Sequence, residues 1–222
     1  MNTATAESIL AELRSLADPR NVEGMARFGI RSGKMLGIGV TALRKLARRI
    51  GRGQVLAEQL WKSGIHEARV LACFLAEPDR ITESVAEDWV RDFDNWAVCD
   101  AACWHLFDKT PWAWKKAREW SSRDEEFVRR AGFAIMAALA MHDKQASDAR
   151  LLRFLPLIRR AATDERNFVK KAVNWALRQI GKRNQSLNAA AIAEAERIAR
   201  IDSRAARWIA RDALRELRAW KG

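Results

Sequence analysis

Asp124-Glu125-Glu126-Phe127-Val128-Arg129-Arg130-Ala131 is a short motif, acidic and then basic, that the chain repeats. It returns as Asp164-Glu165-Arg166-Asn167-Phe168-Val169-Lys170-Lys171-Ala172 and, more loosely, as Asp202-Ser203-Arg204-Ala205-Ala206-Arg207-Trp208-Ile209-Ala210. The leading aspartates lie 40 and then 38 residues apart, the length of a two-helix unit in a repeat protein. One helix pair cannot bury its apolar face alone, but stacked pairs can. The spacing therefore predicts an all-α superhelical solenoid of antiparallel helix pairs. Stacked pairs form a curved slab, and this one carries a positive charge at a fixed place in each repeat.

Outward from these motifs nearly every segment reads as helix, with connectors of ordinary length. The expected helices span 5–17, 19–28, 40–51, 54–62, 65–77, 82–92, 96–109, 111–120, 124–141, 148–162, 166–182, 187–200 and 203–220. Asp18-Pro19, Pro78, Thr110-Pro111 and Gly181 punctuate them. Residues 29–39, with four glycines, form the most loop-like stretch. Strand alternation is sustained nowhere, and no linker or low-complexity run divides the chain, so a single domain over 1–222 is expected.

Composition narrows the function. At 222 residues, 49% hydrophobic and 31% charged, the chain can bury a sizeable core. No apolar run approaches the roughly 18 residues that span a bilayer, so no membrane partner is expected. Three cysteines without a secretory signal suggest reduced thiols and a cytoplasmic location. The net charge of +12 is uneven. Residues 1–120 hold 18 basic against 16 acidic side chains, whereas 121–222 hold 22 against 12. Such a concentration suits a polyanion, since each phosphate contact releases counterions. The alternative is a basic surface that serves only solubility.

Three places could carry chemistry. On the helix at 166–182, Lys171, Trp175, Arg178 and Lys182 fall within about 60° of one another, opposite a core stripe of Val169, Val173, Ala176 and Ile180. Trp175 among cations suits stacking on a sugar or base, or else fills a groove against the next repeat. In Asn95-Trp96-Ala97-Val98-Cys99-Asp100, the indole and the carboxylate are one turn apart and share a face. Asp94 or Asn95 can cap that helix, which leaves Asp100 to form an ion pair or to do chemistry. Arg130 opens an apolar helix where it can reach the groove; its guanidinium suits a phosphate, or a carboxylate from the adjacent helix. Cys99, Cys103 and His105 lack a fourth ligand, so no metal is expected. No phosphate-binding glycine loop or nucleophile elbow occurs, and no cofactor is implied.

Several motifs, taken in order, make the chain resemble the AlkD-like family of DNA alkylation repair glycosylases from about residue 20 onward. They are Met25-Ala26-Arg27-Phe28, Leu36-Gly37-Ile38, Trp96 with Asp100, Arg129-Arg130-Ala131, and Phe168-Val169-Lys170-Lys171-Ala172-Val173-Asn174-Trp175-Ala176-Leu177-Arg178. The resemblance implies HEAT-like helix pairs whose concave basic groove grips double-stranded DNA, and a monofunctional enzyme, expected as a monomer, that hydrolyses the N-glycosidic bond of N3- and N7-alkylated purines. By position Asp100 matches the catalytic carboxylate, Trp96 and Trp175 the aromatic pair beside the lesion's deoxyribose, and Arg130 the arginine beside the backbone. Phe28 stands where the family often has tyrosine; stacking survives that change and a hydroxyl does not. Lys171, Arg178 and Lys182 join Phe28 and Arg130 as expected DNA contacts. The rival expectation is a non-catalytic HEAT-repeat protein that binds DNA or acts as a scaffold.

Overall fold

In the computed structural model, residues 5–222 are described, and among them fourteen α-helices and one 3-10 turn occur, with no strand. Two compact units divide the chain between Pro111 and Trp112. The first holds α1 (Ala6–Ser15), α2 (Pro19–Arg27), α3 (Val40–Ile50), α4 (Gln54–Lys62), α5 (His66–Leu75), α6 (Glu83–Arg91) and α7 (Trp96–His105), the last followed by the 3-10 turn Phe107–Lys109. The second holds α8 (Ala113–Trp120), α9 (Glu126–His142), α10 (Asp148–Leu152), α11 (Leu155–Ala161), α12 (Asn167–Gly181), α13 (Gln185–Ala199) and α14 (Arg204–Ala219).

The helix starts follow their caps. Asp18 accepts from the Arg20 and Asn21 N–H groups with Pro19 in the first turn, Asn95 accepts from Ala97 and Val98, and Asn184 accepts from Leu187. The Asn184 cap starts α13 two residues before the expected 187. The expected 148–162 helix is two pieces, because Pro156 has no N–H to give and sits in the first turn of α11. The expected 96–109 helix stops at His105 and tightens into the 3-10 turn.

In the second unit, α9 packs on α8 and α12, and α12 also on α13 and α14. Every residue of α9 from Arg130 to Ala140 is buried, so this helix is the middle of its layer. Gly132 permits the α8–α9 approach: a Cβ there would lie 2.3 Å from the Ser121 nitrogen. The buried stripe Val169, Ala172, Val173, Ala176 and Ile180 on α12 recurs on α14 as Ala206, Ile209, Ala210, Ala213 and Leu217. The core register of these two helices is thus 37 residues, one less than the spacing of their leading aspartates.

The repeated acidic–basic motif has a structural role at the seams between repeats. Arg129 donates to Asp164 at 3.0 Å, Arg166 donates to the Asp124 carbonyl at 2.5 Å, and the Ala205 N–H donates to Glu165 at 3.0 Å. Burial alone would raise the Asp164 pKa, but hydrogen bonds from Arg166 and Arg129 prevail and hold it below the ordinary carboxylate range. Part of each repeat's charge is therefore spent within the protein.

Candidate functional site

The residues singled out from the sequence divide between the two units. In the first unit, α7 positions two of them. Asn95 caps this helix with its Oδ1, 3.0 Å from the Ala97 nitrogen and 3.2 Å from that of Val98. That fixes the amide orientation and aims Nδ2 at His66 Nδ1, 3.2 Å away, and at Asp94 Oδ1, 2.7 Å away. An amide NH2 only donates, so His66 Nδ1 must accept, and the imidazole is neutral with its proton on Nε2. Burial lowers the pKa of His66, outweighing the nearby charges of Glu67 and Asp94 that would raise it.

Trp96 and Asp100 follow on one face of α7. The helix turns its Val98, Cys99, Ala102 and Cys103 side into the core, each of them fully buried. Trp96 and Asp100 are half-buried. The carboxylate is thus at the margin of the apolar interior and not sealed within it. The Trp96 indole N–H donates to the Phe28 carbonyl at 3.0 Å, so two of the expected site residues are joined directly. Phe28 itself is 75% exposed, the largest exposure of any large apolar residue among the described residues. An exposed aromatic residue whose carbonyl anchors an indole is a platform that a partner can cover.

The loop at residues 34–38 ties this corner together. The buried Glu67 carboxylate accepts three main-chain N–H groups, from Leu36 at 2.9 Å, Gly37 at 2.6 Å and Ile38 at 3.3 Å. The loop's own carbonyls are used as well: Lys34 accepts from the His66 N–H, Leu36 from the Asp18 N–H, and Gly37 from Asn21 Nδ2. Gly37 has φ +79°, and a Cβ on it would lie 2.1 Å from the Asp18 carbonyl oxygen, so glycine is required. His66 and Glu67 thus hold α2, the loop and the cap of α7 in one network. This pair did not stand out in the sequence. Its signal is an acid in the first turn of a helix whose preceding residue, Ile65, supplies no side-chain cap.

In the second unit α12 presents the remaining residues. Its core stripe is as expected, with Val169, Val173, Ala176 and Ile180 fully buried. Lys171 is exposed and Trp175 is half-buried. Arg178 and Lys182 converge on Glu216 of α14, Lys182 at 2.6 Å, and Arg178 also lies 3.9 Å from Asp212. Burial would raise the pKa of Glu216, but hydrogen bonds from Lys182 and Arg178 hold it low. Expected as DNA contacts, these two cations are already engaged within the fold. Arg130 is also placed differently from the sequence expectation. It is buried, 6% exposed, and Nη1 donates to the Phe168 carbonyl at 2.6 Å, so that it links α9 to the start of α12. The missed signal is arithmetic: Glu216 follows Arg178, and Asp212 follows Asn174, by one repeat length of 38 residues. Asn174 does donate to Asp212, at 2.6 Å.

Among the described residues no group of three His, Cys, Asp or Glu side chains could hold a metal ion, and no helix is long and apolar enough to cross a membrane. Cys73, Cys99 and Cys103 are buried in the core, and burial pushes the Cys73 thiol well above its ordinary pKa.

The family model described as DNA alkylation repair enzyme matches residues 9–217. The chain belongs to this family. No curated protein matches it. Among solved structures, a protein described as "a new family of proteins related to the HEAT-like repeat DNA glycosylases with affinity for branched DNA structures" superposes with a TM-score of 0.80 at 19% identity, over 98% of this chain and 97% of the other. At that identity the likeness speaks for the fold, and this DNA alkylation repair family member therefore has the HEAT-like, all-α architecture read from its repeat spacing.

Proposed function

We propose that the chain is a monofunctional DNA glycosylase that hydrolyses the N-glycosidic bond of N3- or N7-alkylated purines in duplex DNA. The observation that carries this reading is on α7. A carboxylate at the rim of the core and an indole anchored by its N–H occupy one helix face, in a member of a DNA alkylation repair family.

Alkylation at N3 or N7 makes the purine cationic, so it leaves readily with little protonation of the base. The C1′–N9 bond breaks and its electron pair goes to the departing purine, which becomes neutral. A water oxygen forms the new bond to C1′ and loses a proton to Asp100 or to solvent. What this requires from the protein is negative charge beside a sugar that turns positive, as glycosidase carboxylates supply it. Asp100 fills that role. The π face of Trp96 favours the cationic sugar over the neutral ground state, which lowers the barrier and not merely the dissociation constant. The roles of Trp175 and Arg130 towards DNA rest on the resemblance to the family, and that of Lys171 on its exposed place on the α12 face that carries Trp175. For Arg178 and Lys182 the ion pairs with Glu216 leave less charge to offer a phosphate.

A second reading is a non-catalytic DNA-binding protein, and it is favoured by the likeness to a protein described as having affinity for branched DNA. The experiment that separates them incubates purified protein with methylated duplex and with undamaged four-way junction. Release of 7-methylguanine or a 3-alkylpurine supports the glycosylase. Tight junction binding with no base released supports the second reading.

A further inference from the structure

We infer an additional nucleic-acid contact in the first unit, a cleft of Arg44, Arg48, Arg52, Phe74 and His105 that takes the sugar–phosphate backbone. It rests on the reading that this protein binds DNA, and it assigns residues that neither the repeat motifs nor the family resemblance picked out. The cleft measures about 410 Å³. Three guanidinium groups line it and no carboxylate does.

Arg44, Arg48 and Arg52 recur every four residues along one side of α3 and just past its end. Like charges at that spacing repel, so the arrangement is unfavourable unless an anion lies across it. Neither Arg44 nor Arg48 has a carboxylate partner among the described residues. Their neighbour Arg49, on another side of α3, spends its charge on Glu12 at 2.5 Å. The cleft's cations are nevertheless held in place. Arg44 Nη2 donates to His105 Nε2 at 3.4 Å and its guanidinium lies 5.8 Å from the centre of the Phe74 ring. Arg52 Nη1 donates to the Ala76 carbonyl at 2.7 Å, just past the end of α5. Phe74 and His105 meet edge-on, with ring centres 4.9 Å apart.

Two of these side chains are thus preorganised, which lowers the entropy lost on binding. The planar guanidinium fork matches two phosphate oxygens at once, and the half-buried rings of Phe74 and His105 give a sugar an apolar wall. The near-balance of charge over residues 1–120, 18 basic against 16 acidic, conceals this cluster in the sequence.

The test measures binding of the full chain to a labelled undamaged duplex by fluorescence anisotropy between 50 and 300 mM NaCl. Wild type is compared with Arg44→Gln/Arg48→Gln and with Arg49→Gln. All three positions are exposed, and equal melting temperatures would show that the variants fold. Each phosphate contact contributes about 0.9 to the slope of log K against log salt, so the double variant should flatten it by about 1.8, while Arg49→Gln leaves it as in wild type. Equal slopes in wild type and double variant overturn the cleft and leave the proposed activity standing. A flattened slope in a protein that releases no base overturns the activity and leaves the cleft. Inorganic phosphate at constant ionic strength supplies the other source of the same chemistry. If a few millimolar raises the melting temperature of wild type but not of the double variant, while the two bind duplex with equal salt slopes, the cleft belongs to a small phosphate and the polynucleotide assignment fails.

Discussion

Replacing Glu67 with alanine should cost the protein more stability than any surface change, and the magnitude follows from three distances. The carboxylate accepts from Leu36, Gly37 and Ile38 at 2.9, 2.6 and 3.3 Å. Hydrogen bonds to a charged group are worth roughly 1.5–3 kcal/mol each, and donors left buried without a partner lose about as much. The first two are strong and the third is long, so about 3–6 kcal/mol of gross interaction disappears. Removing a carboxylate from a fully buried position returns part of that, because its desolvation is relieved. A net loss of about 3 kcal/mol remains, a large share of the 5–15 kcal/mol typical of a domain. Glu67→Gln keeps one acceptor oxygen but turns an NH2 toward the loop, and should fall between alanine and wild type. Urea unfolding followed by circular dichroism reads the difference. Hydrogen exchange at the Leu36 and Gly37 amides should quicken more than exchange in α9. The loop is bonded to Asp18 and Asn21 in and beside α2, and just past the end of α2 lies Phe28, whose carbonyl receives the Trp96 indole N–H. Base release should therefore fall too, even at temperatures where Glu67→Ala stays folded. An alanine variant within about 0.5 kcal/mol of wild type would refute this reasoning.

Three further outcomes are expected. Gly132→Ala places a Cβ 2.3 Å from a main-chain nitrogen and should cost about 2–3 kcal/mol; a thermal melt within 2 °C of wild type would show that α8 and α9 separate easily. The neutral, buried His66 has a folded pKa below the unfolded value of about 6.5, so the unfolded state binds the extra proton. Stability should be insensitive to that group above about pH 7 and fall as pH drops below 6.5, and His66→Gln should remove this component; a variant with an unchanged pH slope sinks the assignment. Glu216→Gln weakens the contacts to Arg178 and Lys182 and should cost roughly 1 kcal/mol in denaturant while raising duplex affinity, because two cations are released. Lower affinity in that variant would place Glu216 itself at the DNA.

What could be read from the sequence followed physical rules that act locally. Helix periodicity, proline and the capping residues Asp18, Asn95 and Asn184 located most elements, and the 40-residue spacing implied stacked helix pairs. The α12 core stripe was legible because its apolar residues recur at helical spacing. Side chains whose partners come from another repeat were harder to read. Arg178 and Lys182 share the outer side of α12, yet outer means facing α14 here, where Glu216 waits one repeat later. Arg130 heads an apolar helix, and whether such a side chain turns to solvent or to a neighbour's carbonyl depends on how closely the helices approach. Glu67 was silent because its bonds run to main-chain groups of residues 36–38, which no side-chain pattern reveals, and His66 because its ring meets Asn95, 29 residues away.

The central claim is that Asp100 supplies the charge that a departing alkylpurine demands. Single-turnover release of 7-methylguanine from methylated duplex, by wild type and Asp100→Asn at saturating protein, tests it most directly. The account predicts a loss of about 3 kcal/mol of transition-state stabilisation, more than a hundredfold in rate, with affinity for undamaged duplex unchanged. Equal rates for the two proteins, or no base released by wild type, would contradict it.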